Sequence, residues 1–209
     1  MNRKVLVVDL DGTLYQCNTF HELLKYLLCL YFKDFKGLKL LLLIVLIKLR
    51  LLRIISHAKL KYHVLRLVKN DKIDFEPFIA QLSKFKNEIE EVSDNTFDIK
   101  ILATAAPSYY AELIAEKNGF DACLATQLPQ NGYSSDFENL REQKKNRLIE
   151  YLKSCGLESI DVFITDHIDD ASIIKMAKKN IIINPDVKFS NWLNENLVNF
   201  ETRRMRLNR

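Results

Sequence analysis

VLVVDLDGTLY, residues Val5 to Tyr15, sets four apolar residues before two aspartates one residue apart and follows them at once with Gly12 and Thr13. So short a run of β-branched and apolar residues reads as a buried strand. Asp9 and Asp11 stand where that strand ends. Alternation along a strand would point them to opposite faces, but Gly12 lets the chain turn and bring both carboxylates around one pocket. Two unpaired acids closing an apolar strand are costly as decoration, so the stretch reads as a site rather than as a simple turn.

Similar apolar runs recur downstream: IKILATA from Ile99, DACLAT from Asp121, DVFIT from Asp161 and IIIN from Ile181. Between them lie segments with helical signals. Ser108–Gly119 and Phe137–Gly156 both close on Gly, and Asp169–Asn180 opens with acids and finishes with lysines, each sign matching the nearer helix end. The alternation predicts an α/β fold, a Rossmann-like doubly wound parallel sheet with helices on both faces. The block from about Thr19 to Asn95 has no comparable strand and reads as helices inserted after the first strand.

Composition limits the alternatives. A chain of 209 residues with 48% hydrophobic content can bury one good core and a smaller second unit. Cys17, Cys29, Cys123 and Cys155 lie far apart without a CxxC pair, which argues against a zinc site or a disulfide framework and for a reduced, cytoplasmic setting. The opening MNRK runs straight into the strand pattern and has no signal-peptide character, so export is not expected. The net charge of +4 is modest and no nucleic-acid partner is expected, but the charge is uneven: from Lys25 to Lys72 the only acids are Asp34 and Asp71. Within this basic block the apolar run Leu40–Ile47 is far shorter than the ~20 residues that span a bilayer. The expected place for residues 38–55 is a buried helix. The alternative is a membrane-surface helix, with peripheral contact to anionic headgroups.

In open parallel sheets, ligands bind beyond the carboxyl ends of the strands. Besides Asp9 and Asp11, that edge receives Thr104 at the expected end of the second strand, Asp166 at the end of the fourth, and Asp169 and Asp170 just after it. So many carboxylates repel one another unless a cation is present, and all-oxygen ligands suit a hard ion such as Mg²⁺. Asp169 and Asp170 also suit the first turn of a helix without further role.

In order and placement these motifs resemble the haloacid dehalogenase superfamily. DLDGTLY matches its first signature, DxDGTL; Thr104 sits where the second motif places a hydroxyl, Lys144 in QKKNRL resembles the third-motif lysine, with Lys145 as its competitor, and TDHIDD resembles the fourth motif, with Thr165 where many relatives carry Gly. NTFHELLKYL, ATQL and INPD are similar to the phosphoserine phosphatase-like branch, subfamily IB. The resemblance implies an α/β core of residues 1–18 and 96–209 and a helical type-one cap of residues 19–95. It also implies a Mg²⁺-dependent phosphatase acting on a small phosphorylated molecule. Asp9 would be the nucleophile, Asp11 the acid and base, and Thr104, Gly12 and Lys144 the phosphate contacts. Asp9, Asp11 and Asp166 would hold the metal, supported by Asp170 and Asp169, with His167 left as a substrate contact. A phosphotransferase, or a non-catalytic module docking on anionic membrane, is the alternative.

Overall fold

In the computed structural model, residues 3–205 are described; Met1, Asn2 and residues 206–209, the outer limits of the expected α/β core and part of the opening MNRK, lie outside the described residues. Six strands form one sheet: β1 (Val5–Val8), β2 (Ile99–Pro107), β3 (Ala122–Thr126), β4 (Ile160–Thr165), β5 (Ala177–Ile183) and β6 (Phe200–Arg203). Their order is β3-β2-β1-β4-β5-β6 and every neighbouring pair is parallel. This is the doubly wound arrangement that the alternating pattern predicts.

β1 is central, and all four of its side chains are fully buried. Leu6 and Val8 join one apolar cluster with Leu102 and Ile164, while Val5 and Val7 join another with Ile101 and Phe163. The two-residue period of the strand thus feeds two layers. The first is covered by α6 (Ser108–Lys117), through Tyr110 and Ile114, and by the inserted helices; the second is covered by α7 (Glu142–Ser154), α8 (Ala171–Ile174) and α9 (Val187–Glu195).

The insert contains α1 (Thr19–Lys33), α2 (Gly37–Leu51), α3 (His57–Val68), α4 (Glu76–Leu82) and α5 (Glu90–Ser93), with no strand among them. Polar caps start two of these helices. Asn18 accepts from the His21 N–H at 2.9 Å and Ser56 accepts from the Lys59 N–H at 3.1 Å. Asp71, just beyond α3, accepts from the Tyr31 hydroxyl at 2.9 Å and from Lys39 Nζ at 2.6 Å, and so ties α1 to α2.

Four expectations need correction. The segment Phe137–Gly156 is helical only from Glu142, because Asn139 is held elsewhere: its N–H donates to Thr126 Oγ1 and its side-chain amide to the carbonyls of Thr104 and Leu124. Asp169–Asn180 is not one helix either. After the short α8 the chain enters β5 at Ala177, where pairing with β4 (Ile160↔Ala177, Val162↔Lys179) overrides the lysine signal. Thr104 does not end β2, which continues to Pro107; its pairing with β3 shifts between Ala103 and Pro107, and Thr104 sits in that irregularity. Finally, residues 38–55 are not a buried helix, since Leu43 is the single fully buried side chain of α2. α9 and β6, beyond INPD, complete the sheet edge and were not anticipated by the pattern.

The uneven burial of α2 gives a direct test. Leu43→Ala should lower unfolding free energy by about 2–5 kcal/mol, as for other buried leucines, while Leu41→Ala on the same helix should stay within about 0.5 kcal/mol; urea denaturation of the two variants measures the contrast.

Candidate active site

The site is built where β1, β2 and β4 end. Asp9 follows β1 directly, and its N–H donates to the Ile164 carbonyl at 2.9 Å, so the backbone of β4 fixes its place. The chain then turns tightly: the Gly12 N–H donates to the Tyr15 carbonyl at 2.7 Å and the Tyr15 N–H to the Leu10 carbonyl at 2.9 Å. Gly12 has φ of +78°, and a Cβ built there would lie 2.0 Å from Asp166 Oδ2. Only glycine admits both the turn and the carboxylate packed against it. Because the Gly12 amide is already taken by Tyr15, its contribution is this space and not a free donor toward phosphate.

Lys144 arrives from α7. Its Nζ lies 2.7 Å from Asp9 Oδ1 and 2.8 and 2.9 Å from the two oxygens of Asp170, and the side chain is only 3% exposed. Lys145 instead pairs with Glu142 on the surface, which settles which lysine reaches the carboxylates. Thr165, the residue in place of Gly, is fully buried and donates its hydroxyl to Asp170 Oδ2 at 2.7 Å. It anchors the loop that follows β4.

The other candidates fall around the same pocket. Asp11 accepts the Thr19 N–H at 2.8 Å, linking the turn to the start of α1. Asp166 accepts from the Thr13 hydroxyl at 3.2 Å. Thr104 is buried, and its Oγ1 accepts the Ala106 N–H at 3.0 Å, leaving its proton to donate. Asp169 sits at the rim, paired with Arg141 at 3.0 Å, and the exposed His167 takes the Asp169 N–H on its Nδ1 at 3.1 Å. Asp9, Asp11, Gly12, Thr104, Lys144, Asp166, His167, Asp169 and Asp170 all line one pocket of about 470 Å³.

The pocket's other wall was missed from sequence. Phe20 of α1, His57 and Lys61 of α3, and Glu138 face it. Lys61 is buried, pairs with Glu138 and donates to the Ala105 carbonyl at 2.9 Å. Burial alone would raise the Glu138 carboxyl, but the hydrogen bond to His57 and the charge of Lys61 pull it down to about 2. One signal was available: Lys61 stands three, four and seven residues before the buried Val64, Leu65 and Val68, a cation on the apolar face of its helix.

Charge is out of balance on the Asp9 side of the pocket. Burial would lower Lys144, but Asp170 and Asp9 outweigh it and keep the ammonium protonated. One cation cannot neutralise every carboxylate here. Burial pushes Asp9 up to about 8, with Asp170 and Asp166 adding to it against the pull of Lys144. Burial likewise raises Asp166 to about 6, and raises Asp11. Among the described residues no three His, Cys, Asp or Glu side chains converge as a metal cluster. A cation here would have the carboxylates of Asp9 and Asp166, completed by backbone and water oxygens. That donor set fits Mg²⁺, which keeps several waters, and the cradle left by Gly12 holds Asp166 ready for it.

Two measurements probe this electrostatic frame. Lys144→Met should cost about 3–5 kcal/mol at neutral pH by leaving buried carboxylates unpaired, and adding Asp170→Asn should recover part of the loss in urea denaturation. The second is a pH series in chelator. Because Asp9 and Asp166 have folded-state pKa values above the ordinary 3.8, the unfolded chain releases these protons first. Their stabilising contribution is whole below 3.8 and falls as pH rises through about 6 and about 8. Denaturation midpoints should decline over that range, and Asp9→Asn should flatten the upper part.

Comparison with known proteins agrees with this geometry at the level of fold and family. A protein with unknown function from Bordetella pertussis Tohama I is 16% identical with a TM-score of 0.75, covering 96% of this chain and 98% of that one. A phosphoserine phosphatase, solved as a phospho-aspartyl intermediate analogue, is 17% identical with a TM-score of 0.60 over 91% of each chain. A phosphoserine phosphohydrolase-like protein from Francisella tularensis subsp. tularensis SCHU S4 is 17% identical with a TM-score of 0.52, covering 95% and 94%. No curated protein matches the chain in sequence. The family of haloacid dehalogenase-like hydrolases matches residues 6–175, from β1 through α8 and so across every catalytic candidate. The chain belongs to the haloacid dehalogenase-like hydrolases.

Proposed function

We propose that the protein is a Mg²⁺-dependent phosphatase that hydrolyses a small-molecule phosphate monoester through an aspartyl-phosphate on Asp9. The observation that carries the reading is the Lys144 ammonium at 2.7 Å from Asp9, at the floor of a pocket where Asp11 follows two residues later. Membership of a hydrolase family and a fold shared with phosphoserine phosphatases support it.

Phosphate monoesters repel incoming anions, so catalysis rests on positioning and on countercharge. An oxygen of Asp9 attacks phosphorus while the bond to the leaving oxygen breaks, and Asp11 gives that oxygen a proton. Burial raises the Asp11 carboxyl, which favours the protonated form an acid needs. Water then attacks the phosphorus of the acyl phosphate, its proton passes to Asp11, and phosphate leaves with the Asp9 carboxylate restored. Thr104 donates its hydroxyl to a phosphoryl oxygen, and Lys144, held by Asp170 and Thr165, orients Asp9 and offsets its charge. Asp9, Asp166 and the Asp11 carbonyl would hold Mg²⁺, which when bound neutralises charge on the phosphoryl group. Gly12 keeps the space for Asp166, and Asp169 with Arg141 shapes the rim. Residues 19–95 act as the cap, with Phe20, His57 and Lys61 facing the leaving group.

Phosphate release from a panel of phosphorylated small molecules should require Mg²⁺ and fall by about a thousandfold or more in Asp9→Asn; turnover that survives this change would remove Asp9 as nucleophile. Independently of turnover, Mg²⁺ should raise the melting temperature of the wild type and not that of Asp166→Asn.

A further inference from the structure

α2 is apolar on every side, and only one side is covered. Leu40, Leu43, Leu46 and Ile47 pack against the core cluster. On the opposite face Leu38, Leu41, Leu42, Val45 and Leu52 form a single stripe at helical spacing and are exposed, Leu38 by 72%. The turns at the two ends of the helix extend this surface. Phe35, 94% exposed, occupies a backbone position with φ of +54°, where glycine is the unstrained choice, and Ile54 is exposed beyond the other end. A surface that large on one side of a chain marks an interaction site.

The charge around the stripe selects the partner. Lys48 lies on this face, seven residues after Leu41, and Lys33 and Arg53 are exposed next to the turns before and after the helix; none of the three makes an ion pair among the described residues, while the one acid between Phe32 and Ile55 is Asp34. A second copy of the chain, paired face to face, would set these cations against their own equivalents. An anionic lipid surface meets both features, apolar contact below and negative headgroups beside the cations. Spanning is excluded for this helix: Gly37–Leu51 is about 22 Å long against a hydrocarbon core of about 30 Å, and among the described residues no helix is long and apolar enough to cross a membrane.

We propose that the outer face of α2, with Phe35 and Ile54 at its ends and the unpaired Lys33, Lys48 and Arg53 beside it, docks the protein in the plane of an anionic membrane surface. This docking needs no turnover and stands apart from the phosphatase reading.

Sedimentation of the full chain with phosphatidylglycerol-containing vesicles tests it. The wild type should be retained on these vesicles, about tenfold or more weakly on pure phosphatidylcholine, and less as salt is raised. Leu41→Glu/Val45→Glu and Lys48→Glu/Arg53→Glu should each weaken retention by about tenfold or more, with unchanged circular dichroism and melting, because all four side chains face solvent. Absence of retention on anionic vesicles would overturn the proposal, as would equal retention of the Leu41→Glu/Val45→Glu variant. A chain that ignores vesicles and sediments as a dimer dissociated by those same apolar substitutions would give the face to a second copy instead.

Discussion

The site depends on one buried ammonium. Lys144 reaches from α7, in one helical layer, to Asp9 at the end of central β1 and to Asp170 after β4, so a single cation joins three elements far apart in sequence. A buried ion pair of this kind adds little net stability, because desolvation offsets much of the attraction. What it provides is position. The second carboxylate on Lys144 and the Thr165 hydroxyl on Asp170 leave the ammonium few other places to go. Asp9 is held as firmly, between the Ile164 carbonyl on its N–H and Lys144 on its side chain.

The same arrangement leaves negative charge in excess. Asp9 and Asp170 share Lys144, Asp166 has no cation paired with it among the described residues, and the cation on the far wall, Lys61, is already committed to Glu138. A phosphorylated molecule, as the proposed reaction requires, would bring more negative charge into a partly desolvated pocket. A hard cation bound here would relieve that excess by itself, lower the raised carboxyl pKa values and so favour the entry of the anionic molecule. Gly12 links this electrostatic argument to the backbone: the turn that brings Asp11 round is also the turn that makes room for Asp166.

Much of this was legible in the sequence because strand ends are legible. A continuous apolar run that stops at an acid picks out Asp9 and Asp166 without coordinates, and chain order assembles them at one sheet edge; Thr104 reaches the same pocket from an irregularity inside β2, not from the strand end at which it was placed. The misreadings have a common physical source, since local signals were overruled by tertiary bonds. The lysines of Ala177–Asn180 look like a helix end, yet pairing with β4 makes them a strand. Phe137–Arg141 continues a helical pattern, yet Asn139 is drawn to β2 and β3. The far wall of the pocket was invisible for a different reason: Lys61 lay among many other basic residues, and only its alignment with Val64, Leu65 and Val68 separated it from them.

α2 shows how one helix can satisfy two demands that sequence pattern alone does not separate. An uninterrupted apolar run predicts burial, but burial requires a partner on every side, and the described residues supply one only for the side of Leu43. The helices that flank it tie this surface to the pocket. α1 begins with its Thr19 N–H on the Asp11 carboxylate and ends at the Phe35 turn, a distance of about 22 Å along its 15 residues. α3 starts directly after Ile54 and Ile55 and carries His57 and Lys61 into the pocket wall. Whatever covers the outer face of α2 therefore bears on the same helices that position Asp11 from one side and Lys61 from the other, so the exposed stripe and the pocket at the sheet edge are two ends of one packed unit.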